Sequence, residues 1–333
     1  MDDRDLLSRL AEGPASGDAL AREAGTTRAA IWKRIEALRA AGVGIAARAG
    51  TGYALEQPLD LLDAAAIEAA LPAAARAELA TLEVAWSIDS TNSELLRRNT
   101  NARKTDVLFA ERQTGGRGRR GRTWASPLAA HLYVSVARHF GGGLARLGGL
   151  SLVAGVAAAE ALHALGHASV RLKWPNDLVV EDSRGPQESR GLRKLGGLLV
   201  EGGGEHGGPV RAVIGLGLNV RMPEAIAREI DQPWCDLATL GESRQRNAIA
   251  AAVLAELLPA LAQFDRDGLE PFLARHAALD ALAGRAVVLH QHDGTRNAVA
   301  EGLAPDGALR VRLDGGELRV VHSGDVSVRT RDA

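Results

Sequence analysis

The sequence predicts an α+β protein of three successive units, and three observations carry that prediction. The first fifty or so residues place apolar side chains at helical spacing and then close on a glycine-turned hairpin. The middle of the chain interleaves strand-like runs with long helices without a regular β-α-β beat, which points to a mixed sheet. The last fifty residues are short strands divided by turn signals, the pattern of a small closed β-barrel.

In the first unit, Leu6, Leu7 and Leu10 form a short apolar face. Ser16 can cap a second helix, Gly25 permits a tight turn, and Thr26 or Thr27 can cap a third. On that third helix, predicted over 27–40, Ile31, Ile35 and Leu38 fall at i, i+4 and i+7 and make one buried stripe. Arg28, Lys33, Arg34 and Arg39 lie off the stripe and are free to face outward. Gly42 ends the helix, and residues 45–55 fold about Gly50-Thr51-Gly52 as a small wing. Pro58 and an alanine-rich stretch to about residue 80 read as a join. In the middle unit, strands are expected at 107–111, 132–137, 170–173, 178–180, 197–201 and 213–220, with helices at 93–98, 147–165, 246–267 and 270–279. Residues 183–193 are polar and contain Gly and Pro, as an exposed loop does. In the tail, strands are expected at 287–289, 298–302, 308–313, 317–321 and 325–328, with turns at Asp293-Gly294, Pro305-Asp306-Gly307 and Asp314-Gly315-Gly316.

The 333 residues allow two or three domains, and 46% hydrophobic residues is enough for packed cores. A single cysteine, Cys235, excludes an internal disulfide and any multi-cysteine metal site. The start, MDDRDLLSRL, lacks the basic and apolar regions of a signal peptide. No run of about 18 apolar residues suggests a membrane span. These features point to the cytoplasm. A net charge of −1 means that any polyanion site is a local patch. The cations are mostly arginines, against only four lysines, Lys33, Lys104, Lys173 and Lys194. A lysine kept on that background hints that a point charge is wanted there.

The sharpest motif is GRGRRGR at residues 116–122. Its glycines let the backbone approach a ligand and line an anion with amides, and its arginines offer forked donors for phosphate or carboxylate. A solvated basic loop or an RNA-binding stretch is the plainer reading, but the run lies mid-domain and leads into Trp124 and a strand. Residues 173–178, KWPNDL, bring a lysine, an amide and a carboxylate together where Pro175 interrupts a strand; alone, such a stretch is as often a turn. Lys194 opens a strand whose Gly196 and Gly197 leave room for a flat ligand, and Gly215 and Gly217 gap another that ends at Asn219. Glycines in strands more often mark close backbone contacts. Asp89 through Ser93 present small polar side chains entering a helix, a plain N-cap by default. The phosphate loop G-x-x-x-x-G-K-[ST], the G-x-G-x-x-G fingerprint and the G-x-S-x-G elbow are all missing. His290 and His292 would share one side of a strand, with no third metal ligand evident nearby.

Taken in order, these stretches resemble the biotin–protein ligases. The resemblance rests on Ser90-Thr91-Asn92, GRGRRGR, KWPND at 173–177, the Lys194-Leu195-Gly196-Gly197 strand and Gly215–Asn219, and it covers nearly the whole chain. The connection at 183–193 is longer than the family's usual one. The resemblance implies a winged helix-turn-helix DNA-binding domain at 1–60, a class II synthetase-like catalytic domain for biotin and ATP at 80–280, and an SH3-like β-barrel at 281–333. It is closest in form to the bacterial two-function version, both ligase and biotin operon repressor.

The implied roles follow residue by residue. Ser90, Thr91, Asn92 and Gln113 would hydrogen-bond the biotin ureido ring, with Arg117, Arg119, Gly197, Gly215 and Gly217 also on biotin. Gly116, Arg117, Arg119, Arg120, Arg122, Asn176, Lys194 and Asn219 would bind ATP or the adenylate, and Trp234 would cover the adenine. Arg119, Lys194 and Asp177 would be catalytic, with Asp177 also on Mg²⁺. Arg28, Lys33 and Arg34 would face DNA. The implied reaction takes biotin as substrate and Mg²⁺ with ATP, makes biotinyl-5′-AMP, and passes biotin to a lysine of biotin carboxyl carrier protein. The residue types suit it, since two anions must meet and a water-labile anhydride must be covered. The implied partners are the carrier protein, biotin operon DNA and a second copy in a homodimer promoted by biotinyl-AMP, with no membrane. Two other readings stay open: a biotin-responsive transcription factor without ligase activity, and a ligase whose winged helix no longer represses. Lipoate ligases share the fold, but the two long motifs fit biotin better.

Overall fold

The computed structural model describes residues 1–99, 104–143, 147–182, 191–204, 209–241, 245–291, 294–323 and 327–330. The first unit runs α1 (Asp3–Ala11), α2 (Gly17–Glu23), α3 (Arg28–Ala40), β1 (Ile45–Arg48) and β2 (Gly52–Leu55). Asp2, Ser16 and Thr27 each accept a backbone N–H at a helix start, which satisfies donors the helix itself leaves unpaired. The expected stripe of Ile31, Ile35 and Leu38 is buried against Leu6, Leu7, Leu10 and Leu20. The wing turn requires glycine at position 52, because φ is +89° and a Cβ would lie 2.3 Å from the Ala15 carbonyl oxygen.

The alanine-rich stretch is not a free join. It forms α4 (Ala64–Ala69) and α5 (Ala73–Glu78), and Leu62, Ile67, Leu71, Ala75 and Leu79 enter the core of the middle unit. A buried ion pair fixes it there. Arg246 Nη2 meets Glu111 Oε2 at 2.6 Å, Glu111 Oε1 accepts from Leu62 N at 2.6 Å, and Arg246 also donates to the carbonyls of Asp60 and His131. Low aromatic content and many small residues disguise these packing helices as a linker.

The middle unit holds seven strands: β3 (Leu79–Ala85), β4 (Thr105–Ala110), β5 (Leu132–Phe140), β6 (Arg171–Lys173), β7 (Asp177–Glu181), β8 (Leu192–Gly204) and β9 (Val210–Leu218). Their order is β3-β4-β5-β9-β8-β7-β6, with only β3 and β4 parallel, so the sheet is mixed as expected. The edge strand β3 is an addition to the strands expected from sequence. Helices α6 (Thr91–Arg97), α7 (Leu147–Ala164), α8 (Glu224–Ala227), α9 (Leu237–Leu240), α10 (Arg246–Asp267) and α11 (Glu270–Leu279) complete the unit. Helices α7 and α10 are long and apolar enough to cross a membrane by length and composition alone. Both are mostly buried, and Val153, Ala157, Ile249 and Leu257 lie in the core.

Period-2 alternation then places the site. Along β9, Ala212, Ile214, Leu216 and Leu218 join the helix-covered core, so Gly215 and Gly217 fall on the opposite face. By the same alternation Tyr133 and Ser135 of β5, and Gly197, Leu199 and Glu201 of β8, share that face.

The tail forms β10 (Ala286–Gln291), β11 (Gly294–Leu303), β12 (Leu309–Leu313), β13 (Leu318–Val321) and β14 (Ser327–Thr330), an antiparallel sheet ordered β13-β12-β11-β10-β14. Among the described residues, β13 and β14 are its edges and do not pair with each other. A register shift between Ala300 and Leu303 interrupts the β11–β12 ladder, and Val287, Leu289, Ala300, Leu309, Val311 and Val328 share one small core. Trp174 docks this unit on the middle one: it is buried, and its Nε1 donates to the Gly307 carbonyl at 3.0 Å. The first unit docks through Leu128, whose side chain sits in the winged-helix core and whose N–H donates to Ala41 O at 2.7 Å.

Candidate active site

The glycine-bearing face of the sheet opens into a cavity of about 490 Å³, walled by the 117–124 segment, the 173–177 turn and the start of β8. Most of the expected site residues converge on it. Ser90, Thr91, Asn92 and Gln113 line one end. Arg117, Arg119, Arg120 and Arg122 approach from the loop, and Asn176, Asp177 and Lys194 from β7 and β8. Five motifs spread over more than a hundred residues thus meet in one place, because β5, β9, β8 and β7 are neighbours in the sheet.

Ser90 is the N-cap of α6, which aims Thr91 and Asn92 at the floor. Thr91 donates to Gln113 Oε1 from its backbone N at 2.9 Å and from its hydroxyl at 3.1 Å. Arg117 donates to Ser93 Oγ at 2.7 Å and forms a forked pair with Glu201 at 3.0 and 3.2 Å. Arg119 reaches across the cavity to Asn176 Oδ1 at 3.4 Å and donates to the Ser323 carbonyl of the tail. Burial, with the Arg120 charge beside it, lowers the Arg119 pKa below the usual arginine range. Arg120 itself adopts φ +57°, a left-handed conformation uncommon outside glycine and often found at ligand sites.

Lys194 Nζ is 2.7 Å from Asp177 Oδ1 and 5.4 Å from the centre of the Trp124 ring. The pair compensates charge while leaving both groups at the cavity wall. Asn176 is pinned by donating Nδ2 to Leu198 O at 2.7 Å. Lys173 also lines the cavity, and burial lowers its pKa, opposed by the nearby Asp177. The wall therefore carries more cations than carboxylates, of which Asp177 and Asp231 line it, and this suits a polyanionic ligand.

Several expected roles change. Gly215 and Gly217 line the cavity and also seat side chains against the sheet. A Cβ at Gly215 would lie 2.3 Å from Asn92 Oδ1, and one at Gly217 would lie 2.5 Å from the Trp124 indole, so each glycine seats a side chain that itself lines the cavity. Gly197 lines the cavity, and a Cβ there would lie 3.2 Å from Lys194 Nζ. Gly116 closes the loop base instead of lining the cavity: its carbonyl accepts from Trp124 N at 2.9 Å. Asn219 is a buried staple, donating to the carbonyls of Cys235 at 3.0 Å and Lys194 at 3.5 Å, which fixes the Lys194 backbone. Trp234 lies beside a separate hollow with Arg193, Pro233 and Cys235, rather than on the main cavity. Its backbone bridges to Lys194, so it stays on the segment that borders the site. Burial raises the Cys235 thiol to about 12, which leaves it unreactive. Trp124 and Lys173 were missed as site residues, although both adjoin or belong to the motifs.

On α3, Arg28 is exposed with a loose pair to Asp18 at 3.8 Å, and Lys33 is exposed. Arg34 is half-buried and donates to the Met1 carbonyl, so it braces the N-terminus instead of standing free. Trp32, beside Lys33, is 53% exposed on the same helix. His292 and residues 183–190 lie outside the described residues. Among the described residues, no group of three metal-binding side chains occurs.

The Biotin/lipoate A/B protein ligase family profile matches residues 84–219, an HTH domain profile matches 3–54, and the Biotin protein ligase C terminal domain profile matches 283–329. The Bifunctional ligase/repressor BirA of Salmonella typhimurium strain LT2 is 40% identical over 328 residues, covering 98% of this chain and 97% of that protein. The chain belongs to the biotin–protein ligase family. The Bifunctional ligase/repressor BirA of Escherichia coli K12 is 39% identical over 98% of this chain and 97% of its own length. Among solved structures, the biotin–protein ligase from Aquifex aeolicus in complex with biotin and ATP matches with a TM-score of 0.61 and 27% identity, over 75% of this chain and 99% of that one.

Proposed function

We propose that this chain is an ATP-dependent biotin–[acetyl-CoA-carboxylase] ligase that also acts as a biotin-responsive repressor. The observation that carries it is the single cavity that gathers the Arg-rich loop, the Lys194–Asp177 pair and the Thr91–Asn92–Gln113 floor. A biotin carboxylate oxygen attacks the α-phosphorus of ATP, and the bond to pyrophosphate breaks. Arg119 and Lys194 hold carboxylate and α-phosphate together and offset their repulsion. A carrier-protein lysine amine then attacks the acyl carbon of biotinyl-AMP, AMP leaves, and an amide forms. Arg117, Arg120 and Arg122 keep the 116–122 loop over the anhydride and exclude water. Trp234 covers the adenine after moving from its hollow.

Mg²⁺ travels with ATP and usually keeps several waters, so one or two protein carboxylates are enough to receive it. Asp177 supplies one at the cavity wall, and its pairing with Lys194 shows that this carboxylate already balances a cation there. The fit is therefore to an ion delivered on the nucleotide. When bound, Mg²⁺ neutralises phosphate charge.

We assign the winged helix to 1–60, the catalytic domain to about 80–280 and the tail domain to 281–333, with α4 and α5 packed as part of the catalytic core. The protein works in the cytoplasm on biotin carboxyl carrier protein, and binds operator DNA as a homodimer promoted by biotinyl-AMP. Arg28, Lys33 and the exposed Trp32 support α3 as the DNA-facing helix. The deciding assay is ATP-dependent transfer of labelled biotin to the carrier protein. No biotin-dependent pyrophosphate release and no labelled carrier would overturn the ligase reading. Sedimentation with and without biotinyl-AMP, beside a gel shift at stated salt, tests the repressor. A monomer whose DNA binding ignores both ligand and sequence would overturn that part.

A further inference from the structure

Helix α3 buries Ile31, Ile35 and Leu38 but leaves an indole in solvent. In its first two turns the exposed positions are Arg28, Ala29, Trp32 and Lys33. They recur at i, i+1, i+4 and i+5, so they share one face of the helix. Further along, the exposed positions are Ala37 and Ala40, which project only methyl groups. Glu36 is partly covered, and its carboxylate is paired with Arg39 at 2.6 Å. The exposed face is therefore slim along its second half and carries three large side chains, two cations and an indole, at its start. The first turn holds no acid. Asp18 approaches Arg28 only to 3.8 Å, and both side chains are mostly exposed, so that pair holds Arg28 weakly. Trp32 is 53% exposed, and the other large apolar side chains exposed among the described residues, Val299, Leu318 and Val320, all lie on the tail sheet.

We propose that Trp32 determines which base α3 reads, its indole covering the C5 methyl of a thymine in the major groove while Arg28 and Lys33 hold phosphates. This rests on the repressor reading above. A recognition helix presents its first turns to base edges, and here the large side chains of the exposed face all stand in those turns. Ala37 and Ala40 let the remainder of the helix lie close to the groove. The thymine methyl is the one apolar group that base edges display there. Against it the indole removes apolar surface from water on both partners. The other bases offer only hydrogen-bonding groups on that edge, which an apolar ring face would strip of water without replacing it. The two cations cannot make this choice from the backbone, because phosphates are the same at every base pair.

The test uses the full chain with biotinyl-AMP to select a duplex site from a random library. Gel shifts at low salt, where weak binding stays measurable, then compare that site with versions in which each thymine in turn is uracil, a change that deletes the methyl alone. One thymine in each half-site should lose about fourfold in affinity on becoming uracil, the worth of one buried methyl. Trp32→Ala should bind the selected site about tenfold or more weakly, and should bind its thymine and uracil forms equally. Trp32→Phe keeps an apolar ring and should retain the discrimination. The dependence of affinity on salt should be unchanged in Trp32→Ala and shallower in Lys33→Ala, a contrast that general loosening of the winged helix does not produce. A selected site at which no thymine-to-uracil change matters, or discrimination that survives in Trp32→Ala, would overturn the inference while leaving the repressor reading intact. Failure of the wild-type protein to enrich any sequence would overturn that reading and this inference with it.

Discussion

Replacing Gly217 with alanine places a methyl group 2.5 Å from Trp124 Cε2 and 2.7 Å from Cζ2 and Nε1. Carbon contacts settle near 3.5–4.0 Å, so the indole or the strand must move by about 1 Å. The strand resists, because Gly217 pairs with Tyr133 on one side and Gly197 on the other. The indole therefore gives way, and it forms part of the cavity wall near Lys194. Such overpacking costs about 1–3 kcal/mol of stability. If a comparable strain falls on the bound state, biotin binding weakens by about tenfold or more. Gly203→Ala is the control: it lies on β8, and a Cβ there meets nothing within 4 Å. Urea unfolding and biotin calorimetry on both variants read the two effects separately. If Gly217→Ala matches Gly203→Ala in stability and in biotin affinity, the account of Gly217 as the seat of Trp124 is refuted.

Arg119→Gly should release biotinyl-AMP about tenfold faster, as loss of one charge-assisted contact implies, and should increase labelling of bystander lysines; unchanged retention would count against a phosphate-facing role. Arg246→Ala leaves the Glu111 carboxylate buried without its cation, which should cost about 3–5 kcal/mol and shift the urea midpoint accordingly; a shift typical of a surface substitution would contradict this. Burial lowers both His131 and His276 from 6.5 to about 4, so both are neutral in the fold. Their contribution is complete above pH 6.5 and is lost as pH falls towards about 4, because the unfolded chain takes up protons first. Unfolding measured over that window should show stability declining with acid, and His131→Asn should flatten part of the slope.

The N-terminal unit was legible residue by residue. Its caps, its Ile31–Ile35–Leu38 stripe and its glycine turn are local signals that act over three or four positions. The join was misread because α4 and α5 are stabilised by a core contributed from elsewhere, chiefly α10, and short alanine-rich helices carry little signal of their own. Helices α7 and α10 are apolar on most sides because the sheet and their neighbours surround them.

The motifs by themselves determined the chemistry of the site: a loop of glycines and arginines, a retained lysine, a carboxylate and a trio of small polar side chains. Only the tertiary structure decided which of those residues face the cavity. Asn219 carries the same sequence signal as Lys194, yet Lys194 lines the cavity while Asn219 bonds backbone carbonyls behind it. Sequence spacing fixes which side of a strand a residue occupies, through the two-residue repeat. What occupies the space beyond that side depends on chain segments more than a hundred positions away, as with Asn92 against Glu201. Glu201 ends the strand expected at 197–201, but its contact with Asn92 exists only once β8 and α6 are packed together.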